Sequence, residues 1–348
     1  MTQRFVCGSV ETPAGKVPRV ESKLNFRDRS GTYKVRWAIG RMRYRVDPGL
    51  YALGAPDADS PVMISANFKM SFDLLREALP GRNGWILVLD TDGINVWCAA
   101  GKGIFGTDEL TRMVESSGLA MVVNHRRVIV PQLGAAGISA HQVQKLSGFK
   151  VVYGPVRAAD LPEFMDAGMK AGPGMRMKTF TTGERLSLVP VEMVHAFKTL
   201  LTVLPLVFLL SGFSGHGGFL PNALRSGGFA ALGLIMAIAA GCLLTPALLP
   251  WLPGRAFSLK GIWPGIACAL LFLTLRNAVG ALPASGRLET AAWALIIPGV
   301  SGYLAMNFTG CSTYTSLSGV KKEMKLAVPA QIAAVALGTI FWITSIFV

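Results

Sequence analysis

Residues 195–348 contain two acids, Glu289 and Glu323, against nine Lys and Arg. The rest of that stretch is mostly apolar. A chain so poor in carboxylates cannot surround a soluble core with water-compatible surface, so this half reads as membrane protein. Residues 1–194 carry 25 Lys and Arg and 18 Asp and Glu, an ordinary soluble balance. The 348 residues suffice for roughly two domains. The boundaries expected are a basic N-terminal arm over 1–45, an α/β domain over 46–170, a linker over 171–194 and a helical membrane domain over 195–348.

Five apolar segments are long enough, or nearly so, to cross a hydrocarbon layer of about 30 Å. They fall at 196–212, 228–250, 261–283, 291–309 and 326–347. The first is short and carries Pro205. No apolar run of signal-peptide length opens the chain, so the first 190 residues are expected in the cytoplasm. Inner loops would then hold Arg255, Lys260, Lys321, Lys322 and Lys325, and outer loops Arg225 and Arg287. That asymmetry predicts a multi-pass protein of the cytoplasmic membrane with the N-terminus inside and the C-terminus outside. Arg276 lies within the third span, where an unpaired charge is costly. It reads as a substrate site, or as a side chain that snorkels or pairs inside the bundle. No acid falls inside the five spans, which argues for an anchor over a proton-driven transporter. The small-residue pairs Gly212/Gly215 and Gly299/Gly302 offer close helix approach without forming GxxxG.

The soluble half alternates short apolar runs with amphipathic ones. "VMISA" (62–66), "WILVLD" (85–90), "LAMVVN" (119–124), "RVIVP" (127–131) and "KVVYGPV" (150–156) read as strands. Helices are predicted at 67–79, 106–118, 139–148 and 158–168, with Thr107 as one N-cap. This order implies an α/β domain with a largely parallel sheet. Ligands of such sheets gather at the C-terminal strand ends. That places Ser65, Asp90 to Gly93, Pro131 to Gly137 and Gly154 to Arg157 on one rim. Residues 1–45 hold eleven Lys and Arg against three acids. They read as a solvated arm, or as a contact for anionic headgroups or an acidic partner. No aromatic stacking motif accompanies the charge, so nucleic acid is not expected.

"GKGIFG" (101–106) matches G-x-G-x-x-G but lacks the preceding strand and the later acid of a dinucleotide site. The five cysteines form no CxxC, so neither a disulfide framework nor an internal iron–sulfur or zinc site is expected. Cys98 stands apart in "NVWCAAGK" (95–102). By chemistry alone it is a packed inert thiol, or a nucleophile needing a base such as His125, His141 or His195, none of them tied to it by spacing.

"NVWCAAGK" (95–102) resembles, at all eight positions, the signature segment of the HgcA family, the corrinoid proteins of microbial mercury methylation. "ANFKMSFDLLR" (66–76) is similar to that family's sequence after its early strand. The layout of a soluble domain followed by five spans also resembles it. The soluble half is similar to the corrinoid-binding domain of the corrinoid iron–sulfur protein as well. The resemblance implies an α/β Rossmann-like corrinoid-binding domain ahead of an all-α transmembrane domain. It implies a cobalamin-type corrinoid with Cys98 as lower axial ligand of cobalt. Asn95 would cap a short helix under the ring. Ala99, Ala100 and Gly101 would leave the macrocycle room, Val96 would be a further cofactor contact, Trp97 would pack behind the helix, and Lys102 would favour thiolate or meet a corrin side chain. Ser65, Gly134, Gly137 and Gly154 are the further contacts expected. The activity implied is methyl transfer from methyl-cobalt to Hg(II). Its partners would be a methyltetrahydrofolate-linked donor and HgcB, a ferredoxin-like iron–sulfur protein supplying electrons. A corrinoid methyl carrier of one-carbon metabolism and a transporter with a cytoplasmic regulatory domain are the competing readings. Cys7, Cys242, Cys268 and Cys311 are either apolar packing or a path for Hg(II).

Overall fold

The computed structural model describes residues 3–215, 217–278, 287–311 and 317–347. Two compact units appear, Met1–Val35 with Ile39–Lys178, and Thr179–Val348 with Arg36–Ala38.

The first unit is a seven-stranded mixed sheet. Its strands are β1 (Val6–Thr12), β2 (Gly15–Val20), β3 (Gly49–Leu53), β4 (Val62–Ala66), β5 (Gly84–Leu89), β6 (Arg127–Val130) and β7 (Lys150–Tyr153). They lie in the order β1-β2-β3-β5-β4-β6-β7. β5, β4, β6 and β7 are mutually parallel, β3 is antiparallel to β5, and β1 and β2 form an antiparallel pair. β4 and β5 are buried at every position, as expected of central strands covered on both faces. One face carries Val62, Ile64, Ala66, Leu87 and Leu89 with Ala99, Ala100, Phe105 and Leu110. The opposite face carries Met63, Ile86 and Val88 with Phe72, Leu75 and Leu79.

The helices are α1 (Phe26–Arg36), α2 (Lys69–Glu77), α3 (Val96–Gly101), α4 (Thr107–Ser116), α5 (Leu119–Val122), α6 (Ala140–Ser147) and α7 (Leu161–Asp166). Three readings of the sequence are corrected here. The segment 119–124 is not a strand. Gly118, at φ 62°, ends α4 and restarts the chain as α5, whose Leu119 and Val122 are buried one turn apart. Thr107 is not a cap: Gly106 is, and the Thr107 hydroxyl instead accepts from Ser139 N at 2.9 Å. Residues 1–45 are not a solvated arm. Val17 and Val20 enter the core, and β2 pairs with β3 in the sheet.

α1 is held by buried charge. Asp28 accepts from Lys69 at 2.7 Å and from Arg76 at 2.7 Å, and the same two cations contact Asp73 at 2.6 and 2.9 Å. The Tyr44 hydroxyl donates to the Asp28 carbonyl at 3.1 Å. Burial alone would raise the Asp28 carboxyl, but Lys69 and Arg76 hold it below the usual carboxylate value. Burial and the neighbouring Asp73 push the Tyr44 hydroxyl up to about 12.

The second unit is all helical. α8 (Thr182–Leu186) opens with a capping box between Thr181 and Glu184. α9 (Val189–Ser211), α10 (Phe219–Ile238), α11 (Thr245–Leu248), α12 (Phe257–Ala278), α13 (Arg287–Ala305) and α14 (Leu317–Phe347) follow. Among the described residues, five helical stretches are long and apolar enough to cross a membrane: Thr182–Ser211, Phe219–Leu248, Phe257–Ala278, Arg287–Thr309 and Ser318–Phe347. The first is longer than the sequence suggested. α9 begins inside the expected linker because Pro190 suits the first helical turn, and it runs through Pro205. The end of the expected third span, 279–283, lies outside the described residues. α10 passes through a π-helical segment, Ala239–Leu244, before Pro246.

Buried cations satisfy helix ends in this unit. Lys260 donates to the carbonyls of Leu249 and Leu252 at 2.7 and 2.9 Å. Arg185 donates to the Pro246 carbonyl at 2.7 Å. Both therefore sit where the dipole of the α10–α11 stretch is negative. Arg276 is ion-paired with Glu289, which belongs to α13 because that helix starts at Arg287. The expectation that no acid enters the spans is thus corrected, and Arg276 takes the paired form of its two readings. Gly299 and Gly302 allow close approach: a Cβ on either would lie 3.0 Å from Val335 or from the Ser258 carbonyl.

Candidate functional site

The C-terminal ends of β4, β5, β6 and β7 open onto one rim, and the turn after β5 leads into α3. Asn95 stands at its N-cap with extended backbone, and its side-chain oxygen accepts from Cys98 N at 3.0 Å. This is the cap that the Asn-x-x-Cys spacing predicts. Within α3, Ala99 and Ala100 are buried in the core on the sheet, so, against expectation, they seat the helix and do not open space beside it. The opposite side is bare. Cys98 is exposed and free, and Gly101 and Lys102 are exposed after it. A Cβ on Gly101 would meet nothing within 4 Å. The helix therefore presents a thiol over open space flanked by the smallest side chains.

Trp97 is half-buried and outside the core clusters, so the fixing of α3 falls instead to Ala99, Ala100 and Phe105. Val96 is half-buried and packs against the core on that face. The Lys102 N–H closes the helix onto the Cys98 and Ala99 carbonyls at 3.2 Å each.

The loop after β6 packs on this helix. A Cβ at Gly134 would lie 2.4 Å from the Phe105 ring, and one at Gly137 would lie 2.2 Å from the Phe105 carbonyl and 3.2 Å from Ala100 Cα. These glycines are required by the approach of two backbones. Gly154 is buried, donates to the Val130 carbonyl at 2.8 Å, and sits beside Ile129. Gln132 N donates to the Pro155 carbonyl at 3.3 Å, tying the 131–137 and 154–157 loops together. The structure thus brings Asn95 to Lys102, Gly134 and Gly137 together, with Gly154 in the adjoining loop.

Ser65 does not join them. It pairs with Val88, alternates with Ile64 and Ala66, and therefore faces the side of the sheet that α2 covers, away from α3. Its hydroxyl donates to the Ala66 carbonyl at 3.2 Å.

Two residues on, Asn67 has a role that sequence reasoning missed. Its side-chain oxygen accepts from Thr91 N (3.1 Å), Thr91 Oγ1 (2.8 Å) and Gly93 N (2.8 Å). Its amide donates to Asp90 at 2.9 Å. Asn67 and Thr91 are both buried. They fix the turn in which Asp92 and Gly93 adopt φ 54° and 72° and from which α3 starts. Its sequence signals were its place directly after a mostly apolar strand and inside "ANFKMSFDLLR" (66–76).

His125 bonds to the Ser60 carbonyl and His141 to the Ser139 hydroxyl, so the described residues pair neither with Cys98. No group of three or more His, Cys, Asp and Glu among the described residues is placed to hold a metal ion. Cys98 by itself thus offers one donor atom, not a complete metal site. "GKGIFG" follows a helix, and a Cβ at Gly106 would lie 2.7 Å from the Gly103 carbonyl. Its last glycine thus serves a tight turn.

Residues 38–165 match the family described as CdhD, CO dehydrogenase/acetyl-CoA synthase delta subunit. Three curated relatives are acetyl-CoA decarbonylase/synthase complex gamma subunits. That of Methanopyrus kandleri is 31% identical over 123 residues, 35% of this chain and 26% of the relative. That of Archaeoglobus fulgidus is 30% identical over 128 residues, 36% and 27%. Subunit gamma 2 of Methanosarcina thermophila is 36% identical over 125 residues, 35% and 26%. The chain spans about a quarter of the length of these relatives. The family match lies almost wholly within the sheet-forming unit, which contains α3, Cys98 and Asn67.

Proposed function

We propose that this protein is a membrane-anchored corrinoid methyltransferase whose acceptor is Hg(II). The observation that carries the reading is the exposed, unpartnered Cys98 thiol on the Asn95-capped helix α3, bordered by Gly101 and open space. A bound cobalamin-type corrinoid would supply a cobalt centre able to carry a methyl group. Cys98 is the residue that would bind the cobalt, through its exposed sulfur. Asn95 positions the thiol, Ala99 and Ala100 seat the helix on the sheet, and Asn67 sets the turn before it. Gly134, Gly137 and Gly154 shape the adjoining loops. Ser65 is left out of the site, because its hydroxyl lies on the other face.

A bound thiolate would donate electron density to the metal it ligates, as in thiolate-ligated haem enzymes. That donation suits transfer to an electrophile such as Hg(II). The exposure of Cys98 and of Gly101 and Lys102 beside it leaves the sulfur accessible. The chain has no CxxC, so electrons would come from a separate ferredoxin-like iron–sulfur protein, HgcB in the resembling family, and the methyl group from a methyltetrahydrofolate-linked donor. The five apolar helices would hold the site at the cytoplasmic membrane, N-terminus inside.

The test is an ultraviolet–visible spectrum of the corrinoid-loaded full chain, wild type beside Cys98→Ala, followed by methylmercury formation from Hg(II). A spectral shift with loss of methylmercury supports the reading. Methylmercury formed at the wild-type rate by Cys98→Ala would refute the ligand role. The likeness to acetyl-CoA decarbonylase/synthase gamma subunits favours a second reading, a corrinoid methyl carrier of one-carbon metabolism. It expects corrinoid binding in both proteins and no methylmercury from either.

A further inference from the structure

α1 has two faces, and only one is covered. Asp28, Gly31 and Val35 recur at i, i+3 and i+7 and form the inner face. Asp28 and Val35 are buried, and a Cβ on Gly31 would lie 2.5 Å from the Tyr44 hydroxyl. The opposite side of the same helix carries Phe26 and Tyr33, continued by Trp37, at i, i+7 and i+11. These aromatics are 84%, 69% and 50% exposed. Ile39 and Met42, in the turn and short helix that follow, are each 61% exposed. Five of the nine exposed large hydrophobic side chains in residues 3–178 therefore lie within 26–42. Scattered exposed apolar residues need no explanation, but a clustered stripe does.

The charge beside the stripe is mostly basic, with Glu77 3.9 Å from Arg29 on one flank. In the register of α1, Arg27 and Lys34 lie along one flank of the aromatics, and Arg29 and Arg36 along the other. Arg43 and Arg45 follow, both exposed. Arg27, Lys34, Arg43 and Arg45 make no ion pair among the described residues. The one acid in this stretch, Asp28, is turned inward and neutralised by Lys69 and Arg76. An aromatic stripe between two basic rows is the pattern of a helix lying in the plane of an anionic bilayer surface.

We infer that α1 and the turn after it, residues 26–45, are a lipid-contacting surface for anionic phospholipid headgroups. The aromatic rings enter the interface and the guanidinium and ammonium groups meet phosphate. The Asp28–Lys69–Asp73–Arg76 cluster keeps the helix fixed so that its outer face stays presented. The spanning helices supply the bilayer. The inference goes beyond the corrinoid reading and stands without it.

The experiment is hydrogen exchange with mass spectrometry on the full chain. The protein is placed in nanodiscs of phosphatidylcholine, in nanodiscs with 30% phosphatidylglycerol, and in detergent micelles. Peptides covering 24–45 are expected to exchange about 5-fold more slowly in the anionic discs. That protection should fall at 0.5 M salt. It should also be lost in the R27E/K34E variant and in the F26S/Y33S/W37S variant. Peptides of β4 and β5 report in every sample that the fold is retained. Equal exchange in the three environments overturns the inference. So does protection that appears only when a soluble iron–sulfur protein is added, since the face is then a protein interface. Corrinoid binding, read by its visible spectrum, is expected unchanged in both variants, so failure here and failure of the proposed function are separable.

Discussion

The side-chain oxygen of Asn95 accepts a hydrogen bond from the backbone N–H of Cys98 at 3.0 Å, so the residue that starts α3 also fixes the position of its thiol. The cap and the exposed cysteine are one local unit. Asn95→Ala should loosen it by about 1 kcal/mol, while Asn95→Ser should cost little. Faster amide exchange over 95–103 in the alanine variant, with the serine variant near wild type, is the expected result.

Thiol reactivity should follow burial. Cys98 and Cys7 are exposed, whereas Cys242 and Cys268 are buried in the helical unit. In the folded protein a water-soluble maleimide should label Cys98 and Cys7 within minutes and spare Cys242 and Cys268 until denaturant is added. The buried pair suits apolar packing over a path for Hg(II). The side chain of Cys311 lies outside the described residues. Cys98→Ala, at an exposed position, should change stability by no more than about 0.5 kcal/mol.

Asn67 should matter more for stability than any residue on the exposed side of α3. Replacing it with Leu strands the N–H groups of Thr91 and Gly93, and each buried unsatisfied donor costs roughly 1–3 kcal/mol. Asn67→Asp keeps the acceptor but sets a carboxylate against Asp90, which the amide now contacts at 2.9 Å. Both variants are expected to lower the melting temperature and to increase exchange in residues 90–95.

The cluster holding α1 predicts a pH window. Asp28 titrates below its ordinary value of 3.8 in the folded protein, so its contribution is complete above 3.8 and is lost as pH falls through the lower folded value. Tyr44 is shifted the other way, from 10.0 to about 12, so its contribution is complete below pH 10 and disappears as pH rises toward 12. Exchange of α1 and α2 peptides in the full chain should accelerate at both edges. Asp28→Asn should flatten the acid edge and leave the alkaline one.

The Arg276–Glu289 pair links α12 to α13 inside the helical unit. Removing one partner leaves a buried charge without its counter-ion and should cost roughly 3–5 kcal/mol. Arg276→Leu alone should lower the melting temperature in detergent. Arg276→Leu with Glu289→Leu should recover most of the loss. A single variant as stable as wild type would argue that water already reaches the pair.

That an α/β domain precedes an all-helical region was legible because it depends on composition over tens of residues. The near-absence of acids after residue 195 and five apolar stretches were enough to expect five long helices. The α3 cap was legible for the opposite reason. It closes within three residues, so Asn95 and Cys98 meet whatever the rest of the chain does.

What the tertiary structure alone decided is set by contacts between distant segments. Nothing within 119–124 distinguishes a short apolar strand from one helical turn until Leu119 and Val122 must reach the same core. Ser65 looked like a rim residue from its strand position, but the pairing of β4 with β5 put it on the α2 face. Asn67 acquires its role from donors 24 and 26 residues away. Arg276 finds its acid across a segment of chain, and Asp28 its cations 41 and 48 residues on. By itself the sequence determined which segments are apolar, helical or capped, because those properties follow from neighbours within a turn or a span. Packing decided which faces meet, because burying one face and pairing its charges is a property of the whole fold.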